Sequence, residues 1–327
     1  MKLLRWLVDR GNSAAYFMLG QQLHKCGANE EAAKCLMSAS NKGYNPAKAL
    51  LGEMLIKGEG VGRNIQEGIR LLSQAAKEGN IEAQLTLSKA YQKGEYLPKN
   101  PEEAVFWAKQ AALQGCEYAQ MRVSIYYSFG HGVDRDFRES YFWVYQAARQ
   151  GFAYAQAGVG ECFQEGLGVR QNKCKGAKFY ALAAAQGFHF ATARLGLCYI
   201  LGRGVKQDKE KGVTLLRKAA EGGNKFAPIY LIKFGQLKYI PVDAAEIERY
   251  EKQLKEHGYT ISLSEEPVPI IERRKNWIQT EYDHIELLYY LENDDNAEDD
   301  NSVQNPFDPM LNFGRRIIES FAKKGMK

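Results

Sequence analysis

The sequence predicts an all-α fold, an array of helix-turn-helix repeats stacked as a solenoid. Three observations predict it. Segments beginning at Asn45, Ile81, Glu117, Ala153 and His189 follow one another at a spacing of 36 residues with no gap as far as Asn224, making five complete copies. Within each copy, small and apolar residues recur at helical spacing. A glycine turn punctuates every copy at the same place. A fixed period of this length marks an architecture in which each unit can bury its apolar face only against its neighbours.

Residues 1–44 read as a degenerate first repeat and cap. Met1–Val8 has the flavour of a signal peptide, but its apolar run stops at Asp9 with no cleavage pattern, so a packed first helix is expected. Ala15, Gly20 and Gly43 keep their repeat positions, although the loop is shorter. In residues 45–224 the first helix of each unit, helix A, carries Ala47, Ala83, Ala119, Ala155 and Ala191 at its third position. Gly52, Ser88, Ser124, Gly160 and Gly196 follow at the eighth, then Leu55, Tyr91, Tyr127, Phe163 and Tyr199. Gly58, Gly94, Gly130, Gly166 and Gly202 end helix A, where left-handed backbone is needed. Helix B ends on an alanine pair and a glycine, as in Ala75-Ala76 and Gly79. Asn45-Pro46 is expected to supply an N-cap and a first-turn proline. Residues 225–259 read as a degenerate last repeat, because the glycine turn and the double alanine are lost. Residues 260–291 are expected to form a C-terminal capping helix, 292–309 an acidic flexible linker and 310–327 a basic amphipathic tail helix.

The motifs GEGV, GHGV, GLGV and GRGV before helix B, with AAKEG, AARQG, AAAQG and AAEGG after it, resemble the Sel-one-like repeat, a relative of the tetratricopeptide repeat. The resemblance implies a right-handed αα superhelix and a role as adaptor or scaffold. Some bacterial members guard against toxins or mediate host contacts.

Composition narrows the functional classes. The net charge of +5 is modest and acids and bases are interspersed through most of the chain, so nucleic acid is not an expected partner. No apolar run is long enough to cross a membrane, and a cytoplasmic, monomeric protein is expected. The six cysteines show no zinc spacing and are expected to be free thiols. No cofactor or metal is expected: the acidic cluster near Asp294 lacks the glycine and closing glutamate of a calcium loop, and phosphate-binding and dinucleotide motifs do not occur. Cys162 and His189 lie at helix positions too far apart for a catalytic dyad. A non-catalytic scaffold or adaptor binding a protein or peptide is therefore expected, with an immunity or inhibitor protein dedicated to one toxin or effector as the alternative and an enzyme as a remote one.

The resemblance to tetratricopeptide arrays also implies which residues meet a ligand, since there the second, fifth, ninth, twelfth and thirteenth positions of helix A face the concave side. Here those positions include Tyr118, Met121, Ile125, Phe129, Tyr154, Phe190, Leu197, Ile200, Leu201, Phe226 and Ile229, with Lys89, Lys93, Glu161, Glu165 and Lys233 as a charged rim. Aromatic second positions in four successive units are either binding anchors or inter-repeat core. The lysine and asparagine constellation of carboxylate clamps is not reproduced.

Overall fold

The structure, a computed structural model, describes residues 2–236 and 238–256. All fifteen elements in this range are helices. After α1 (Lys2–Asp9) they fall into pairs: α2 (Ser13–Lys25) with α3 (Asn29–Asn41), α4 (Asn45–Lys57) with α5 (Ile65–Lys77), and α6 (Ile81–Lys93) with α7 (Pro101–Leu113). Then come α8 (Glu117–Phe129) with α9 (Phe137–Arg149), α10 (Ala153–Glu165) with α11 (Lys173–Ala185), and α12 (His189–Leu201) with α13 (Lys209–Glu221). A last pair is α14 (Phe226–Gln236) with α15 (Ala244–Glu256). Even-numbered helices are the A helices and odd-numbered ones the B helices. Each helix packs on its predecessor and successor in the chain, which is the contact pattern of a solenoid. The expected capping helix at 260–291, the linker at 292–309 and the tail at 310–327 lie outside the described residues.

The helices begin and end for local reasons. In the five complete repeats every B helix starts on an Asn or Asp whose side chain accepts a first-turn N–H: Asn64 from Glu67 at 3.0 Å, Asn100 from Glu103 at 3.2 Å, Asp136 from Arg138 at 2.8 Å, Asn172 from Lys175 at 3.0 Å and Asp208 from Lys211 at 2.9 Å. Helix A of the second repeat is capped likewise, by Asn80. The other four start on Tyr44, Cys116, Phe152 and Phe188 with no side-chain cap bond. The expected Asn45 cap is corrected here: Asn45 is already inside α4, and its side chain donates to the Ala75 carbonyl at 3.3 Å.

Glycines close the A helix of each of the five complete repeats with φ between 65° and 77°. Two residues on, Gly60, Gly132, Gly168 and Gly204 again have positive φ, and a β-carbon at any of them would overlap the backbone at the start of the preceding repeat's B helix. The turns of repeats one, three, four and five therefore rest on the unit before them. Tyr96 holds this place in the second repeat, at φ 63° and 46% exposed.

Within a repeat, A crosses B at the small eighth position. Gly52 faces Gly68 and Leu72, and Gly196 faces Gly212. Ser88 instead donates to the Ala104 carbonyl at 2.7 Å, and Ser124 pairs with Ser140 at 3.0 Å, so the hydroxyls remain satisfied in the close approach. A second polar contact ties the fourth position of helix A to the end of its own helix B. It is an ion pair in the first repeat, Lys48 to Glu78 at 2.7 Å, and then three amide pairs, Gln114 to Gln84, Gln150 to Gln120 and Gln186 to Gln156, at 2.8–2.9 Å.

At the C-terminal end, Leu231 and Ile232 of α14 are fully buried with Val213, Leu216, Tyr250 and Leu254. Arg217 and Glu246 join α13 to α15 at 2.7 Å. At the N-terminal end Met18 is 56% exposed, and Trp6 lies exposed beneath the Arg10 guanidinium.

Candidate protein-binding surface

Helical periodicity sorts the A helices into faces. The eighth and twelfth positions meet helix B, whereas the second, sixth, ninth and thirteenth share a different flank. That flank holds the candidate site in repeats three to five. Its upper edge is a run of rings that alternates between N-caps and second positions. Phe152 meets Tyr154 with centroids 6.4 Å apart, Tyr154 meets Phe188 at 5.5 Å, and Phe188 meets Phe190 at 5.8 Å. All four are half-buried.

Two arginines at the sixth position support the rings from below. Arg194 lies 5.4 Å from the Phe190 centroid and is paired with the Glu161 carboxylate of the preceding repeat. Burial would depress the Arg194 guanidinium, but the Glu161 carboxylate, with Tyr180 and Tyr230 nearby, outweighs it and holds the group above its ordinary range. The cation is fixed. Arg122, buried beside Tyr118, donates to the Gln92 amide oxygen at 2.8 Å and to the Tyr126 hydroxyl at 3.2 Å. A third inter-repeat bond of this kind runs from Thr86 to Glu53 at 2.7 Å.

The structure divides the residues expected on this surface. Phe129, Tyr154, Phe190, Leu197, Phe226 and Ile229 are half-buried, and Leu201 is exposed. Tyr118, Met121 and Ile125 are buried, at 6%, 8% and 9% exposure, and form the floor of the flank. Ile200 is a correction. Its side chain fills the space left by the missing β-carbon of Gly212, so the twelfth position belongs to the A–B core. Of the rim, Lys93 and Glu165 are exposed, Lys89 and Lys233 are half-buried, and Glu161 is held by Arg194. The residues that sequence reasoning missed are Phe152, Phe188, Arg122 and Arg194. A signal existed: aromatics stand where Asn80 caps the second repeat, and arginine recurs at the sixth position.

No disulfide joins any of the six cysteines, and burial pushes the Cys198 thiol up to about 11. Among the described residues no group of His, Cys, Asp and Glu is placed to hold a metal ion, and no helix is long and apolar enough to cross a membrane.

Capped B helices, glycine turns seated on the preceding unit and a row of A helices with a ringed flank define an α-solenoid of short helix-turn-helix repeats. The chain belongs to the Sel1 repeat family, whose model matches residues 45–80, 81–116, 117–152, 153–188 and 189–224. Repeats of this family commonly serve as protein-interaction scaffolds and are generally non-catalytic. Among solved structures, the chain is similar to a protective antigen present in uropathogenic Escherichia coli strains that displays an SLR fold (27% identity, TM-score 0.69). The match covers 79% of this chain and 56% of the antigen. It is also similar to a Sel1 repeat protein from Oxalobacter formigenes, at 26% identity and TM-score 0.66, covering 76% of this chain and 98% of the other. This chain thus matches little more than half of the antigen's length. No curated protein matches the sequence.

Proposed function

We propose that the protein is a non-catalytic scaffold that holds a partner protein or peptide against the A-helix flank of repeats three to five. Tyr154 and Phe190 are the anchors in this reading, Phe152 and Phe188 the adjoining contacts, and Lys93, Glu165 and Lys233 the polar surround. The observation that carries it is the use of N-cap positions for rings. An Asn cap contributes about 1 kcal/mol to a helix, and Asn80 shows that this repeat accepts one. Phe152 and Phe188 forgo it. They lie half-buried in a continuous aromatic edge instead, and aromatic clusters with polar rims are where interface binding energy concentrates. The Glu161–Arg194 pair supports this reading because it fixes the arginine over which Phe190 sits, leaving less side-chain motion to lose on binding.

The test is the double variant Tyr154→Ala/Phe190→Ala of the full chain. Proteins co-purifying with each form from the source cells are quantified by mass spectrometry. The expected outcome is loss of a stoichiometric partner, since anchor residues contribute about 2 kcal/mol or more each. Stability should fall by only about 1–2 kcal/mol per half-buried ring, against about 3–5 for a fully buried one. Retention of the same partners by a folded double variant rules out this site, and outright unfolding assigns the rings to the core.

A further inference from the structure

A second surface, separate from the ringed flank, lies at the A-to-B turns of repeats four and five. Between residues 170 and 211 the sequence carries Arg170, Lys173, Lys175, Lys178, Arg203, Lys206, Lys209 and Lys211 in and around these turns, and its only acids are Asp208 and Glu210. The fold brings the two basic runs together. Gly204 is seated so closely on α11 that a β-carbon would overlap the Lys173 carbonyl and the Cys174 nitrogen. Arg203 and Lys206 therefore sit against the helix start that carries Lys173 and Lys175, and all four side chains are exposed.

Folding alone does not account for these charges. The B helices α5, α7, α9 and α13 each place a glutamate in the first turn, where the positive end of the helix dipole favours it, but α11 has no acid there and two lysines instead. Nor are they neutralised internally. Elsewhere Lys48, Arg70, Arg194 and Arg217 are all paired with glutamates, whereas Arg170, Lys173, Lys175, Lys178, Arg203 and Lys206 are in no ion pair among the described residues. The Asp208 carboxylate is engaged in capping α13.

We propose that this basic edge is a docking surface for an acidic segment of a protein. Its rings argue against nucleic acid: Phe163, Tyr199 and Tyr239 lie under Lys175, Lys211 and Lys209, with the ammonium groups 5.5, 4.2 and 3.7 Å from the ring centroids, so they are not open platforms for base stacking. Among the described residues, the large exposed apolar side chain nearest these turns in sequence is Leu201, 36% exposed at the end of α12, and a single leucine is a weak anchor for insertion into a lipid surface.

The experiment measures the anisotropy of a fluorescein-labelled poly-glutamate peptide titrated with the full-length protein across a salt series. A labelled single-stranded oligonucleotide and phosphatidylserine vesicles serve as comparison probes. Salt-sensitive binding of the peptide is expected, weakened about tenfold or more in Lys173→Glu/Lys175→Glu/Arg203→Glu/Lys206→Glu. The neutral Lys173→Gln/Lys175→Gln variant should show a smaller loss. The reversed variant should melt no lower than the parent, because Lys173 and Lys175 are cations at a helix N-terminus, where acids are favoured, and Arg203 and Lys206 are exposed turn residues. Tyr154→Ala/Phe190→Ala should bind the peptide normally, which separates this surface from the ringed flank. No binding of the peptide, equal binding by the reversed variant, or preference for the oligonucleotide or the vesicles each overturns the proposal.

Discussion

The B helices and the A helices solve the same problem, the orphan N–H groups of a first turn, in opposite ways. From repeat one to repeat five the B helices are capped by Asn64, Asn100, Asp136, Asn172 and Asp208, with no exception. The A helices of repeats three to five are capped by no side chain, and two of them start on phenylalanine. Where a position serves the scaffold alone, it takes the residue that stabilises the element. Where it departs from that residue in adjacent repeats, and the departures touch one another, it supplies the ring contacts on which the proposed binding role rests.

The scaffold side of this comparison can be broken most severely at the turns. Gly168→Leu combines a left-handed φ with overlap of the Phe137 carbonyl, and should lower stability by about 3 kcal/mol or more in urea unfolding. Tyr96→Gly, at the equivalent place in repeat two, should raise it by about 1 kcal/mol, because it removes the left-handed strain of a non-glycine residue. A smaller effect is expected at the caps. Asn172→Ala should cost about 1 kcal/mol, while Cys116→Asn, which gives α8 the cap that Asn80 gives α6, should add up to about that amount without touching the rings. An uncapped A helix that gains nothing from the asparagine would show that its N-terminus is already satisfied, and would weaken the contrast.

The smallest effect concerns pH. The Lys48 ammonium, followed by the Gln74 amide, holds the Glu78 carboxyl below its usual range by hydrogen bonding. A depressed folded-state pKa gives stability that is present above the unfolded value and lost as pH falls through the folded one. Converting the pair to the amide form of the next three repeats, Lys48→Gln/Glu78→Gln, should remove this titrating contribution while an amide hydrogen bond replaces the ion pair at neutral pH. The difference in urea midpoint between neutral pH and about pH 3 should narrow.

The repeat architecture was legible because its determinants are local. Period, glycine turns and alanine pairs each act within one unit and recur in phase. The caps of helix B were equally open to reading, since Asn or Asp stands before each one. The candidate binding flank was only half legible. Tyr154 and Phe190 emerged from a positional rule borrowed from a related repeat, but the same rule put Ile200 on the surface, because it cannot register that Gly212 draws the twelfth position into the core. Phe152 and Phe188 stand one residue before the first position of helix A, outside the positions that rule covers. The basic edge was hidden differently: its charges are diluted along the chain and meet only where Gly204 seats one turn on a helix that began about one repeat earlier.

That seating gives the array a direction. Gly132 rests on Pro101 and Glu102, Gly168 on Phe137 and Arg138, Gly204 on Lys173 and Cys174, each time reaching back toward the amino terminus and never forward. A ribosome releases the chain in the same order. Each turn seated in this way therefore leaves the exit tunnel after the helix start it will settle on, so the nascent protein can lengthen one unit at a time onto an edge already made.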